Sequence, residues 1–243
     1  MTEFSPPASP LVLIAGATSA SGIATGQALT KAGAKVVGVG SNQERLTAFE
    51  DRVPGSSTHH ANLNDEDAVN TLADAVHTDH GSLDGLLVLV GGWRGGGGIP
   101  GQSEEDWRVL SQGFAALRNT SRAFYNDLAA SFAGRLAIVS SHAVDSPTAG
   151  VATYAAAKAA AETWVRAVAD GFARDQSKST HAPAPQRSAA VIFVVRALVD
   201  DSMRAADPTK SFDRYTDVTS LADRLVELWT SEASTLNGKR IVL

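Results

Sequence analysis

Short apolar runs alternate along the chain with longer stretches whose apolar positions recur every three or four residues. The short runs, bounded by Gly and polar residues, fit strands buried on both faces. The intervening periodicity fits helices that cover those faces. Strands are predicted over Leu11–Ala15, Lys35–Val39, Ser57–Ala61, Gly85–Val90, Leu136–Ser140, Ala189–Val195 and Arg240–Leu243. Helices are predicted over Gly22–Lys31, Gln43–Arg52, Asp65–His80, Glu104–Ser131, Val151–Asp175 and Ser220–Thr230. Asn64 and Ser103 are the expected N-caps, each followed three residues later by an acid, Asp67 and Asp106. Such alternation marks an α/β fold built from βα units around a parallel sheet.

Composition narrows the picture. A chain of 243 residues with 44% hydrophobic content can bury one sizeable core, and residues 11–243 read as a single domain. Residues 1–10 read as a disordered arm, lacking the basic and apolar segments of a signal peptide. A net charge of −5 offers no basic stripe to nucleic acid. No apolar run approaches the ~18 residues of a membrane-spanning helix. The absence of Cys removes disulfides, thiolate nucleophiles and Cys-based metal sites, and the six His show no metal-ligand spacing. These features lead to the expectation of a cytoplasmic protein with a small-molecule partner, neither nucleic acid nor membrane.

Two segments carry chemistry. Tyr154 and Lys158 stand four residues apart on a predicted helix, downstream of Ser140-Ser141 at a strand end. A phenol and an ammonium then share one helix face, where the cation favours phenolate and suits Tyr154 to general acid/base work. Ala15-Gly-Ala-Thr-Ser-Ala-Ser-Gly-Ile-Ala24 joins the first strand to the first helix. Gly16 permits a tight turn, Gly22 lets backbone approach a phosphate, and helix-start amides face a pyrophosphate. Within the turn Ser19, Ser21 and Ile23 join the two glycines as candidate cofactor contacts.

The turn, the strand pattern and the Ser141-x12-Tyr154-x3-Lys158 spacing together resemble the short-chain dehydrogenase/reductase family, from Leu11 to Leu243. The resemblance implies a Rossmann-type three-layer sandwich, with a seven-stranded parallel sheet and helices on both faces. It also implies assembly as a homodimer or homotetramer. By similarity Tyr154 is the acid/base and Ser141 orients the substrate oxygen, with Ser140 the second serine candidate. Lys158 binds the nicotinamide ribose hydroxyls and lowers the Tyr154 pKa. Val90, Gly91 and Gly92 stand within the segment where the family carries Asn-Asn-Ala-Gly, and Asn62 and Leu63 stand where it holds adenine.

Several positions depart from the family pattern. Gly16 and Gly22 enclose five residues where the usual turn has three. Val90-Gly-Gly-Trp-Arg-Gly-Gly96 looks like a segment of dihydropteridine reductases, a branch that lacks the serine and carries an acid after strand two. Phe114 takes the place of the family's helix-four Asn, and Arg196-Ala197 that of a Pro-Gly pair. Arg196 either favours an anionic or carbonyl-rich substrate, pairs with Asp200 or Asp201, or points to solvent. Trp93 and its glycines either form a mobile flap, disordered when empty, or Trp93 is a dimer-interface anchor or half-buried packing. No acid follows Val39-Gly40, whereas Ser41 and Asn42 can donate to a 2′-phosphate with Arg45 one turn on, so NADP is favoured over NAD. The expected function is hydride transfer between NADP(H) and a carbonyl or secondary alcohol. The alternative is a dinucleotide-binding regulator or scaffold with little turnover.

Overall fold

The computed structural model describes residues 9–177 and 185–243. Most of the expected N-terminal arm lies outside the described residues, as does much of the polar loop expected over Ser177–Ser188. Ser9 and Pro10, assigned above to the arm, are tied down. Ser9 Oγ donates to Gly33 O at 2.8 Å, and Pro10 O accepts from Lys35 N at 3.0 Å.

The chain runs β1 (Leu11–Ala15), α1 (Ala20–Lys31), β2 (Lys35–Gly40), α2 (Gln43–Arg52), β3 (Ser57–His60), α3 (Glu66–His80), β4 (Gly85–Val88), α4 (Glu104–Ala123) and α5 (Tyr125–Ala130). It continues through β5 (Arg135–Ser141), α6 (Ala152–Ser177), β6 (Ala189–Val195), β7 (Leu198–Val199), α7 (Asp201–Ala206), β8 (Thr216–Asp217), α8 (Val218–Val226), α9 (Ala233–Leu236) and β9 (Arg240–Val242). Seven strands form one parallel sheet in the order β3-β2-β1-β4-β5-β6-β9. This is the Rossmann-type arrangement expected from the sequence.

Alternate side chains of β1 serve the two faces. Leu11, Leu13 and Ala15 pack with residues of α3, α4, α5 and α6, whereas Val12 and Ile14 pack with α1, α2, α8 and α9. Burial on both sides explains why the strands read as unbroken apolar runs. Strand order reverses between β1 and β4, and the carboxyl edge at such a switch point is where ligands bind in open α/β sheets.

Three local expectations are revised. The helix predicted over Glu104–Ser131 is two, because buried Phe124 leaves helical geometry (φ −103°, ψ 9°) between α4 and α5. The N-cap of α3 is Asp65 rather than Asn64, with its carboxylate accepting from Asp67 N and Ala68 N. The short elements α7, α9, β7 and β8 carry too few residues to show a period. No helix among the described residues is long and apolar enough to cross a membrane.

Candidate active site

The turn after β1 is built on its two glycines. Gly16 adopts φ +85°, and a Cβ there would lie 3.0 Å from the Leu89 carbonyl carbon and the Val90 amide nitrogen at the end of β4. A Cβ on Gly22 would lie 2.4 Å from Ala17 O and 2.6 Å from Gly16 O, so Gly22 is needed by the turn itself. Ser19 is the N-cap of α1, its hydroxyl accepting from Gly22 N at 3.0 Å and approaching Ser21 Oγ at 3.2 Å. Ile23 N bonds back to Ser19 O at 2.9 Å. The amides of Ala20 and Ser21 keep no backbone partner among the described residues. Free helix-start amides above a glycine cradle suit an anionic phosphate, so this turn fits the pyrophosphate of a dinucleotide. Gly22→Ala is expected to abolish dinucleotide binding and cost about 1–3 kcal/mol of stability through overpacking against backbone. Thermal melts with and without NADPH check both effects.

Across the crevice, β5 and α6 bring the expected trio together. The Ser141 hydroxyl lies near enough to the Tyr154 phenol to favour its ionised form. The Ser141 hydroxyl also accepts from Ala143 N at 3.2 Å. Lys158, one turn beyond Tyr154, places Nζ 5.9 Å from the Tyr154 ring centroid and donates to Val139 O at 2.8 Å. The electrostatics differ from the sequence-based expectation. Burial raises the Tyr154 pKa above its ordinary value, and the nearby Ser141 hydroxyl, not the Lys158 charge, is the opposing influence. A phenolate loses solvation when enclosed, and at this separation the desolvation outweighs the cation. The Lys158 ammonium is itself pulled down to about 8 by burial, with Glu162 acting in the opposite direction.

Glu162 was not flagged by the sequence. It lies one turn past Lys158 on the same face of α6 and is fully buried. Its carboxylate accepts from Ser140 Oγ at 2.6 Å, from Arg166 Nη2 at 2.7 Å, and from Arg240 Nε at 3.1 Å to each oxygen. Arg240, from β9, also pairs with Asp145 at 2.8 Å. Ser140 is therefore committed to Glu162, leaving Ser141 as the serine beside Tyr154.

A cavity of about 430 Å³ opens between the two halves, lined by Ser19 and Ser21 on one side and Tyr154 and Lys158 on the other. Val90, Gly91 and Gly92 line it beside Trp93. Gly91 lies close to the amine, since a Cβ there would be 3.5 Å from Lys158 Nζ. A second hollow of about 30 Å³ adjoins it and is bounded by Phe114, Leu110 and Ile138 together with Tyr154 and Lys158.

The glycine-rich segment expected as a mobile flap is held to the start of α6. Gly96 N donates to Gly150 O at 2.7 Å. Gln102 Nε2 donates to Gly96 O at 2.9 Å and Gly98 O at 3.1 Å, while its Oε1 accepts from Thr153 N at 3.0 Å. Trp93 remains 61% exposed at the cavity rim.

The remaining candidates lie along the same sheet edge. Ser41 and Asn42 are exposed after β2, with Asn42 Oδ1 capping α2 through Arg45 N at 2.9 Å. The His60 ring, missed in the sequence, bonds Ser41 O at 3.2 Å. The Asn62 side chain closes a local turn through Asn64 N at 3.2 Å, and Leu63 O accepts from buried Asn119 Nδ2 at 3.0 Å. Away from the edge, β3 and the end of α3 bring ligand atoms of His59, Asp79 and His80 within 4.8 Å of one another, a grouping their spacing did not reveal. His80 is already bonded to Ser57 Oγ at 3.0 Å.

Comparison with known proteins agrees with this geometry. The profile of the short chain dehydrogenases matches residues 10–179. A 2,3-dihydro-2,3-dihydroxybenzoate dehydrogenase of Bacillus subtilis (strain 168) is 28% identical over 156 residues, which span 62% of this chain and only 59% of that enzyme. An NADPH-bound short chain oxidoreductase from Pseudomonas aeruginosa PAO1, described as containing an atypical catalytic center, superposes with a TM-score of 0.81 at 20% identity, covering 98% of this chain and 97% of that one. An NAD+-bound xylitol dehydrogenase superposes with a TM-score of 0.80 at 17% identity, covering 96% and 97%. At these identities the two structures establish the shared fold.

Proposed function

The chain belongs to the short chain dehydrogenase family, and from that premise we propose that it moves a hydride between NADP(H) and a carbonyl or secondary-alcohol carbon, with Tyr154 exchanging the proton on oxygen. The observation that carries this reading is the pairing of Tyr154 with Lys158, one helical turn apart and both lining a cavity that reaches the glycine turn. When bound, the dinucleotide supplies or takes up the hydride. Gly16, Ser19, Ser21, Gly22 and Ile23 hold its phosphates, Ser41 and Asn42 the 2′-phosphate, Asn62 and Leu63 the adenine, and Val90, Gly91 and Gly92 the nicotinamide end. Ser141, steadied by Ala143 N, orients the substrate oxygen. Tyr154 gives that oxygen a proton in reduction and recovers it in oxidation. Lys158 holds ribose hydroxyls and keeps positive charge beside a phenol that burial otherwise holds protonated.

NADP is preferred because no carboxylate directly follows β2 to repel a 2′-phosphate, and Ser41 and Asn42 stand exposed there. Fluorescence titration is expected to show tighter binding of NADPH than of NADH, and equal or reversed affinity overturns the preference. NADPH depletion is then followed against ketones, quinones and pteridines, with consumption expected for at least one class. Binding without consumption across the panel would favour a dinucleotide-binding regulator, the reading to which Phe114 and Arg196-Ala197 lend support as departures from the family pattern.

A further inference from the structure

One cation lining the cavity is left over by the fold. Val195 is the register partner of Ser141, so Arg196 leaves the sheet beside the end of β5, on a strand roughly 4.8 Å away. Arg196 is exposed and lines the 430 Å³ cavity. Neighbouring carboxylates are taken by other groups. Asp200 Oδ1 accepts from Ser202 Oγ at 2.7 Å and Met203 N at 2.8 Å, while Asp201 and Asp217 pair with Arg204 at 3.2 and 2.7 Å. Arg196 has no ion-pair or hydrogen-bond partner among the described residues, so the pairing with Asp200 or Asp201 considered from sequence is not formed. The cavity's other cation, Lys158, donates to Val139 O and is assigned above to the ribose hydroxyls. Between them the wall is apolar and aromatic, formed by Leu198, Met203, Tyr215 and Trp93.

A guanidinium is a planar fork of donors that matches a carboxylate with two parallel bonds, and the apolar and aromatic side chains beside it suit a ring or hydrocarbon body. We propose that Arg196 is an anion subsite of this cavity and that the substrate is a carboxylic acid with an apolar or ring body, its carboxylate on Arg196 and its reacting oxygen near Ser141 and Tyr154. The position of the reacting oxygen rests on the hydride-transfer reading above; the anion subsite is tested independently of turnover.

Benzoate and its neutral counterpart benzamide are titrated calorimetrically into NADP-saturated wild-type protein and Arg196→Met, and NADPH affinity is measured for both proteins. Benzoate is expected to bind wild type at least about tenfold tighter than benzamide, as for a charge-assisted hydrogen bond. Arg196→Met is expected to lose that preference while binding benzamide as wild type does, and Arg196→Lys to keep part of it. Equal affinities in wild type overturn the proposal. So does a variant that keeps the benzoate preference and loses NADPH affinity, which would place the guanidinium on the dinucleotide's pyrophosphate. Retained benzoate preference in a protein that turns over no carbonyl would leave the subsite standing and remove the redox reading instead.

Discussion

Tyr154→Phe is expected to lower kcat by about 10²–10⁴, the usual loss when a general acid/base is removed, with NADPH affinity unchanged. The substitution deletes one hydroxyl and keeps the ring beside the Lys158 ammonium. The Ala143 N contact still anchors the Ser141 hydroxyl. Stopped-flow binding of NADPH and steady-state turnover separate the two effects. Full turnover by the variant would end the proposed mechanism. The pH dependence follows from the same geometry. Burial holds Tyr154 protonated, which suits proton donation in reduction. Lys158 titrates near 8, so its positive charge is present at neutral pH and fades as pH rises through that value. Reductive kcat/KM is accordingly expected to fall on the alkaline side.

Glu162→Ala is expected to be the most damaging single change to stability. Removing a fully buried carboxylate leaves the Ser140 hydroxyl without its acceptor and the Lys158 ammonium without its nearby counter-charge, while of its two carboxylates Arg240 keeps only Asp145. Breaking a buried ion pair from one side costs about 3–5 kcal/mol, or roughly 6–20 °C in Tm for a chain of this size. Differential scanning calorimetry measures it, and a change within about 0.5 kcal/mol, the range of ordinary surface substitutions, would show the network to be idle. Glu162→Gln separates shape from charge. It keeps an acceptor for Ser140 but withdraws the influence that raises Lys158, so the lysine titrates below about 8. The alkaline limb of its pH profile therefore moves to lower pH, which a merely structural role would not produce.

The sheet was legible because its strands are buried on both faces and leave continuous apolar runs, as in Leu11–Ala15 and Ala189–Val195. Ser141, Tyr154 and Lys158 were legible as a spacing on one helix and the strand before it. Glu162 was not, because its partners Ser140 and Arg240 lie 22 and 78 positions away, and a Glu on a helix reads as solvated until packing closes over it. The direction of the Tyr154 shift was hidden for a related reason. Spacing reveals the cation, whereas the opposing desolvation depends on how deeply the ring is enclosed. Asn64 and Asp65 are both good capping residues, and only backbone geometry selects the second.

Gln102 has a mechanical consequence. One carboxamide grips the glycine-rich segment through Gly96 and Gly98 and, through Thr153, the backbone next to Tyr154. A molecule that pushes Trp93 aside therefore strains a tether whose other end is the first turn of α6, from which Tyr154 projects into the cavity.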